Sequence, residues 1–268
     1  MEEPPATPAS PSIEHLEETW RSIFDLCAGL TEDEWKTPTG CPGWTVQDNV
    51  AHLVDYEASA LGRPRPDVAL PEGLDHLKNP LGEANELGVE ARRPRHGQEV
   101  LDELREVATE RSAQLRALTE EDLQRPVDTP AGPGTLADML TLRVMDTWSH
   151  EQDIRRALGR PGHVAGPAVD EAVAYWLGFL PYAVGKRAGA PDGATVVVEV
   201  DGHRRAVEVV EGRARPTEVL DAPTTVLAMS SPTFAAHVGG RSDAPADVDI
   251  TGDAALGRRV LAALSFLP

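Results

Sequence analysis

Arg143-Val144-Met145-Asp146-Thr147-Trp148-Ser149-His150-Glu151-Gln152-Asp153-Ile154-Arg155-Arg156 holds a carboxylate and an imidazole four residues apart, Asp146 and His150. In a helix that spacing puts both on one face, where they can converge on a single ion. Leu140, Val144, Trp148 and Ile154, with Met139 and Met145 beside them, repeat with the period of a helix packed on a core. Polar groups beside an apolar seam need partners when buried, either hydrogen bonds or a metal. Alone, an Asp-x-x-x-His pair is more often an exposed hydrogen-bonded pair than a metal site, so a third ligand elsewhere has to decide.

Thr135 with Asp138 three residues on starts this helix, and Gly159-Arg160-Pro161-Gly162 stops it. Upstream, Ile13, Leu16, Trp20, Ile23 and Leu26 follow helical spacing behind Ser12 as N-cap. Thr31–Trp35 reads as a short capped turn, and Pro38–Gly43 as a loop that Pro and Gly keep from being helical. Thr45-Val46-Gln47-Asp48 has the form of a capping box and opens a second helix, on which His52 and Tyr56 share a face. His52 alone reads either as a hydrogen-bonded histidine or as a ligand. Cys41, just ahead of that helix, is either a buried structural thiol or one with a lowered pKa. Residues 62–98 carry five prolines and leave room for a short helix at 83–92; such a segment is either disordered or functional, as a lid or substrate wall. Arg92, Arg93 and Arg95 within it form either a solvated basic face or an anion contact.

Helices at 12–28, 45–60, 98–118 and 135–158 suit a four-helix bundle with one long crossover. His52 then faces Asp146 and His150 across the core, and two imidazoles with one carboxylate form an open zinc set. After Pro161 the pattern changes. A helix at 167–184 precedes β-branched runs at 195–200, 204–210, 212–219, 224–229 and 248–251, with a hairpin at Asp201-Gly202, a short helix from Ser231 and a closing helix at 253–266. The expected fold class is α+β: a disordered arm at 1–11, a bundle at 12–162 and an α+β domain with a mainly antiparallel sheet at 163–268.

Composition narrows the function. With 44 acidic against 25 basic side chains the formal charge is −19, which disfavours nucleic acid through phosphate repulsion. Two cysteines without metal-finger spacing point to a reducing cytoplasm. No stretch approaches the length of a membrane span, and the first residues carry no signal-peptide pattern. No apolar patch for a dimer is evident, so a monomer is expected.

Thr39-Gly40-Cys41-Pro42-Gly43-Trp44-Thr45-Val46-Gln47-Asp48-Asn49-Val50-Ala51-His52-Leu53, taken with Asp146-x-x-x-His150-x-x-Asp153, resembles the actinobacterial mycothiol-dependent maleylpyruvate isomerase family, part of the DinB-like group of metal-binding bundles. The family's sterol-carrier-like C-terminal domain is similar to the reading of residues 165–268. The resemblance implies zinc ligands at His52 and His150, with Asp146 in the carboxylate position. The characterised isomerase has a glutamate there, so the shorter Asp146 either draws its helix closer or acts through a water. The resemblance also implies a catalytic basic residue in the second domain, assigned to Arg241 in Val238-Gly239-Gly240-Arg241, with Arg258 and Arg259 as competitors. Arg92 and Arg93, like Arg241, are the candidates for holding anionic substrate or thiol groups, and Trp148 and Trp44 either wall the thiol site or pack the core.

The function implied by the resemblance is that of an enzyme with zinc and mycothiol as cofactors and a small electrophile as partner. A thiol activated by zinc is a nucleophile, and its reversible addition to a conjugated cis-alkene isomerises the double bond, whereas irreversible addition is S-transfer. The rival is a non-catalytic metal-binding or small-ligand-binding protein with a structural or sensory zinc, closed by a fourth ligand from Cys41, His76 or His96.

Overall fold

A computed structural model of the chain describes residues 8–218 and 222–266. The chain divides into two compact units that meet in sequence between His163 and Val164.

In the first unit four long helices carry the core: α1 (Pro11–Cys27), α3 (Val46–Ala60), α5 (Gly97–Arg116) and α7 (Leu136–Leu158). Helix α1 packs on α5 and α7, and α3 packs on the same two, closing a four-helix bundle. Ile23, Val50, Leu53, Val54, Leu101, Leu104 and Ile154 fill part of its interior. Two single turns, α2 (Glu32–Trp35) and α6 (Glu120–Leu123), lie between the long helices, and α4 (Pro80–Glu90) lies on α3.

The capping boxes at Thr45 and Thr135 start α3 and α7 as the sequence implies. The first helix differs: its cap is Ser10, not Ser12, because Pro11 fits the first helical position, where no N–H is needed. Of the arm expected at 1–11, residues 1–7 lie outside the described residues. A hairpin not foreseen in the sequence, β1 (Pro126–Thr129) with β2 (Gly132–Thr135), leads directly into α7.

The second unit begins with α8 (Pro167–Leu177) and a π-helical turn, Tyr182–Arg187. The single helix expected over 167–184 is interrupted where Gly178 and Pro181 follow one another. Strands β3 (Thr195–Val200), β4 (His203–Val210), β5 (Arg213–Thr217), β6 (Thr225–Met229) and β7 (Asp249–Gly252) form one sheet in the order β5-β4-β3-β6-β7. The β3·β6 pairing is parallel and the other three are antiparallel. Asp201-Gly202 and Glu211-Gly212 make the two-residue turns, with φ of 42° and 92° and of 52° and 73°, the positive values a type I′ turn needs at both positions. Helices α9 (Ser231–Val238) and α10 (Ala254–Ala263) complete the unit. The architecture is α+β. Among the described residues no helix is long and apolar enough to cross a membrane.

Candidate metal centre

Residues from two bundle helices meet at one point of the first unit. Helix α3 supplies His52, 4% exposed, and α7 supplies Asp146 and His150. His52 Nε2 lies 3.2 Å from Asp146 Oδ2, and His150 Nε2 lies 3.7 Å from Asp146 Oδ1. One ligand atom from each of the three falls within 4.8 Å of the other two. The imidazole rings stand edge to face, 4.8 Å between centroids. Trp44 flanks both, 5.2 Å from His52 and 5.6 Å from His150. The loop before α3 seats that indole: Thr39 N–H donates to the Trp44 carbonyl, Gly43 takes φ of 79°, and Trp44 Nε1 donates to the buried Glu86 Oε2 at 2.8 Å.

Charge sets the protonation of these groups. Burial is the largest influence on His52 and lowers its pKa, only partly opposed by Asp146, so the imidazole stays neutral and able to ligate. Burial works against an ionised Asp146, but the guanidinium of Arg143 beside it holds its carboxyl well below the usual range. Arg143, 1% exposed, donates from Nη1 to Asp146 Oδ2 at 2.6 Å and from Nε to Glu57 Oε1 at 3.0 Å, and its guanidinium stacks 3.5 Å over the Tyr56 ring. Glu57, fully buried, is also reached by Arg111. Two imidazoles and one ionised carboxylate, pre-arranged on two facing helices, are a donor set that suits zinc.

Residues 16–155 match the family described as the mycothiol maleylpyruvate isomerase N-terminal domain. The chain belongs to that family. Uncharacterized proteins of two Mycobacterium tuberculosis strains are 29% identical to it over 135 residues, 50% of this chain and 51% of each relative, so the match spans about half their length. The crystal structures of the mycothiol-dependent maleylpyruvate isomerase and of a histidine-to-alanine mutant of it superpose with TM-scores of 0.53 and 0.57. Each is 16% identical, over 91% of this chain and 93% of the other, a likeness of fold.

Within this member of the maleylpyruvate isomerase family, His52, Asp146 and His150 are brought together, and the other candidates have partners of their own. Trp148 is completely buried, and its Nε1 donates to the His163 carbonyl at 3.0 Å, so it packs the core; Trp44 is the indole at the centre. Arg92 pairs with Glu103 and Asp55, and Arg93 with Glu86, Glu90 and Asp48, so both are committed to protein carboxylates. Arg241 belongs to the second unit, 9% exposed, with Nη1 donating to the Gly239 carbonyl. His76 bonds Glu86, and His96 stands at the exposed start of α5. Cys41 forms a second close group with His150 and Asp153. Sequence reasoning gave no role to Asn49, Glu57, Arg143 or Glu86. Arg143 sits three residues before Asp146 on the same helix, the spacing that could have marked it, whereas Asn49 meets His150 on the facing helix and carries no such signal.

Proposed function

We propose that this chain is a zinc-dependent enzyme that activates mycothiol, either for S-transfer to a small electrophile or for cis-trans isomerisation of one such as maleylpyruvate. The observation that carries the reading is the convergence of His52, Asp146 and His150, on two facing helices, within 4.8 Å. These three would hold the ion. Zinc supplies Lewis acidity when bound and favours the thiolate form of a coordinated thiol. Arg143 keeps Asp146 ionised, and the Trp44 ring, fixed through Glu86, walls one side of both imidazoles. Family membership supports the thiol and the electrophile class. Cys41 belongs to a second group that shares His150 and adds Asp153, so His52, Asp146 and His150 by themselves supply three ligands, the number that leaves a position for a thiol. A reducing cytoplasm fits the two buried cysteines, neither of which is in a disulfide.

The test is zinc content in protein purified without chelators, followed by mycothiol-dependent turnover of maleylpyruvate. About one zinc per chain in the parent, with almost none in His52→Ala or His150→Ala, is expected. Full zinc retention in either variant would falsify the ligand assignment. In the same assay Arg241→Ala is expected to lower turnover or substrate affinity with zinc in place, and unchanged kinetics would remove Arg241 from the site.

A further inference from the structure

The hydrogen bonds around Asn49 run in only one direction. The Thr39 hydroxyl lies 2.9 Å from the Trp44 carbonyl and gives its single proton there. Its oxygen is therefore an acceptor for its other neighbours, the Cys41 N–H at 3.2 Å and Asn49 Nδ2 at 3.2 Å. Asn49 Nδ2 also donates to the Thr45 carbonyl at 2.8 Å. With both amide protons directed at acceptors, the side chain cannot be turned over, and Oδ1 faces His150 Nδ1 at 2.7 Å. An amide oxygen only accepts, so Nδ1 of His150 carries the proton. Its Nε2, on the side of Asp146 and His52, then carries the lone pair a metal needs.

The geometry points to Asn49 as a positioning residue that selects the tautomer and the ring orientation of His150. This rests on the metal reading of the site for its purpose, but the tautomer exists without the ion. Asn49 is fully buried, so no water competes for its oxygen. Asp153 Oδ2 is a more distant acceptor for the same nitrogen, at 3.4 Å, and the other oxygen of that carboxylate is taken by Arg156 at 2.6 Å. The constraint starts in the loop before α3, passes through Thr39 to Asn49, and ends on α7.

The experiment is nitrogen-15 NMR of histidine-labelled, metal-free protein, paired with zinc affinity by chelator competition. The parent is expected to show His150 protonated at Nδ1. Asn49→Val removes the nearer acceptor and leaves only the distant Asp153 Oδ2: the Nδ1-protonated tautomer should lose population and zinc affinity fall roughly 10- to 100-fold, the range for losing the hydrogen-bond partner of a ligating histidine. Asn49→Asp retains an acceptor and should keep both the tautomer and most of the affinity. Asn49→Ser, smaller and too short to reach His150, answers the same question should the valine variant not fold. A parent protonated at Nε2, or a His150 unchanged in the folded variants lacking the acceptor, overturns the inference whatever zinc does. A parent that binds no zinc but shows the tautomer shift supports Asn49 while defeating the proposed function.

Discussion

His163 sits in the left-handed region, φ 50°, with Nδ1 2.6 Å from Oε2 of the fully buried Glu151. Burial alone would lower its pKa; the hydrogen bond and charge of Glu151, with Glu18 nearby, outweigh that and raise it. A raised pKa means that the folded chain binds this proton more tightly than the unfolded chain does. The stabilisation is therefore complete below the unfolded value of about 6.5 and disappears as the pH climbs through the folded one. Urea unfolding of the parent and of His163→Gln should show the larger difference in acid, narrowing toward alkaline pH; a difference that widens with pH would reverse the assignment. Among single side chains, the sequence was legible for the candidate ligands alone. Asp146 and His150 share a helical face by spacing, and His52 lies behind a strong capping box. Arg143 could have been marked by its spacing from Asp146, but Asn49 was silent because its role depends on which helix faces which, and an Asn in an amphipathic helix has no local pattern that separates a buried partner from a solvated one.

Helix α4 shows how tightly the elements meet around the centre. A Cβ on Gly88 would lie 2.2 Å from Asp55 Cγ on α3, closer than packed atoms ever come. Gly88→Ala should cost about 1–3 kcal/mol, the usual range for overpacking, despite the better helix propensity of alanine. Chemical denaturation measures it; a stabilised variant would show that α4 can slide on α3 without loss. Long helices with strong caps were readable because propensity, period and capping agreed at Thr45 and Thr135. The π-turn Tyr182–Arg187 was not, since its apolar spacing continues that of α8 across Gly178 and Pro181. The β1–β2 hairpin also escaped: Pro126–Thr129 and Gly132–Thr135 are four residues each, rich in Pro and Gly, and hold a strand only through pairing with each other.

Over the chain as a whole, a formal charge of −19 coexists with a first unit whose interior holds paired cations, Arg143 and Arg111 on Glu57 and Arg92 on Asp55. Net charge therefore says little about the field at the candidate centre, where Arg143 decides the state of Asp146. The division into a bundle and an α+β part was readable from the shift of pattern after Pro161, because helical and strand periods differ along the chain. The parallel step in the sheet was not, since alternation specifies a strand but not its neighbour. That step has a temporal consequence. Strands β3, β4 and β5 are joined by two-residue turns and can pair as soon as they exist, whereas β6 must return past both to reach β3, Val196 meeting Thr225, and β7 can only follow β6. Closing the longer loop costs more entropy, so it is expected later. In pulse-labelling hydrogen exchange during refolding, amides of β3 to β5 should be protected before those of β7; simultaneous protection would mean the sheet is born whole. On a ribosome, the meander would stand as a three-stranded sheet with β3 as an open edge until its parallel partner is synthesised.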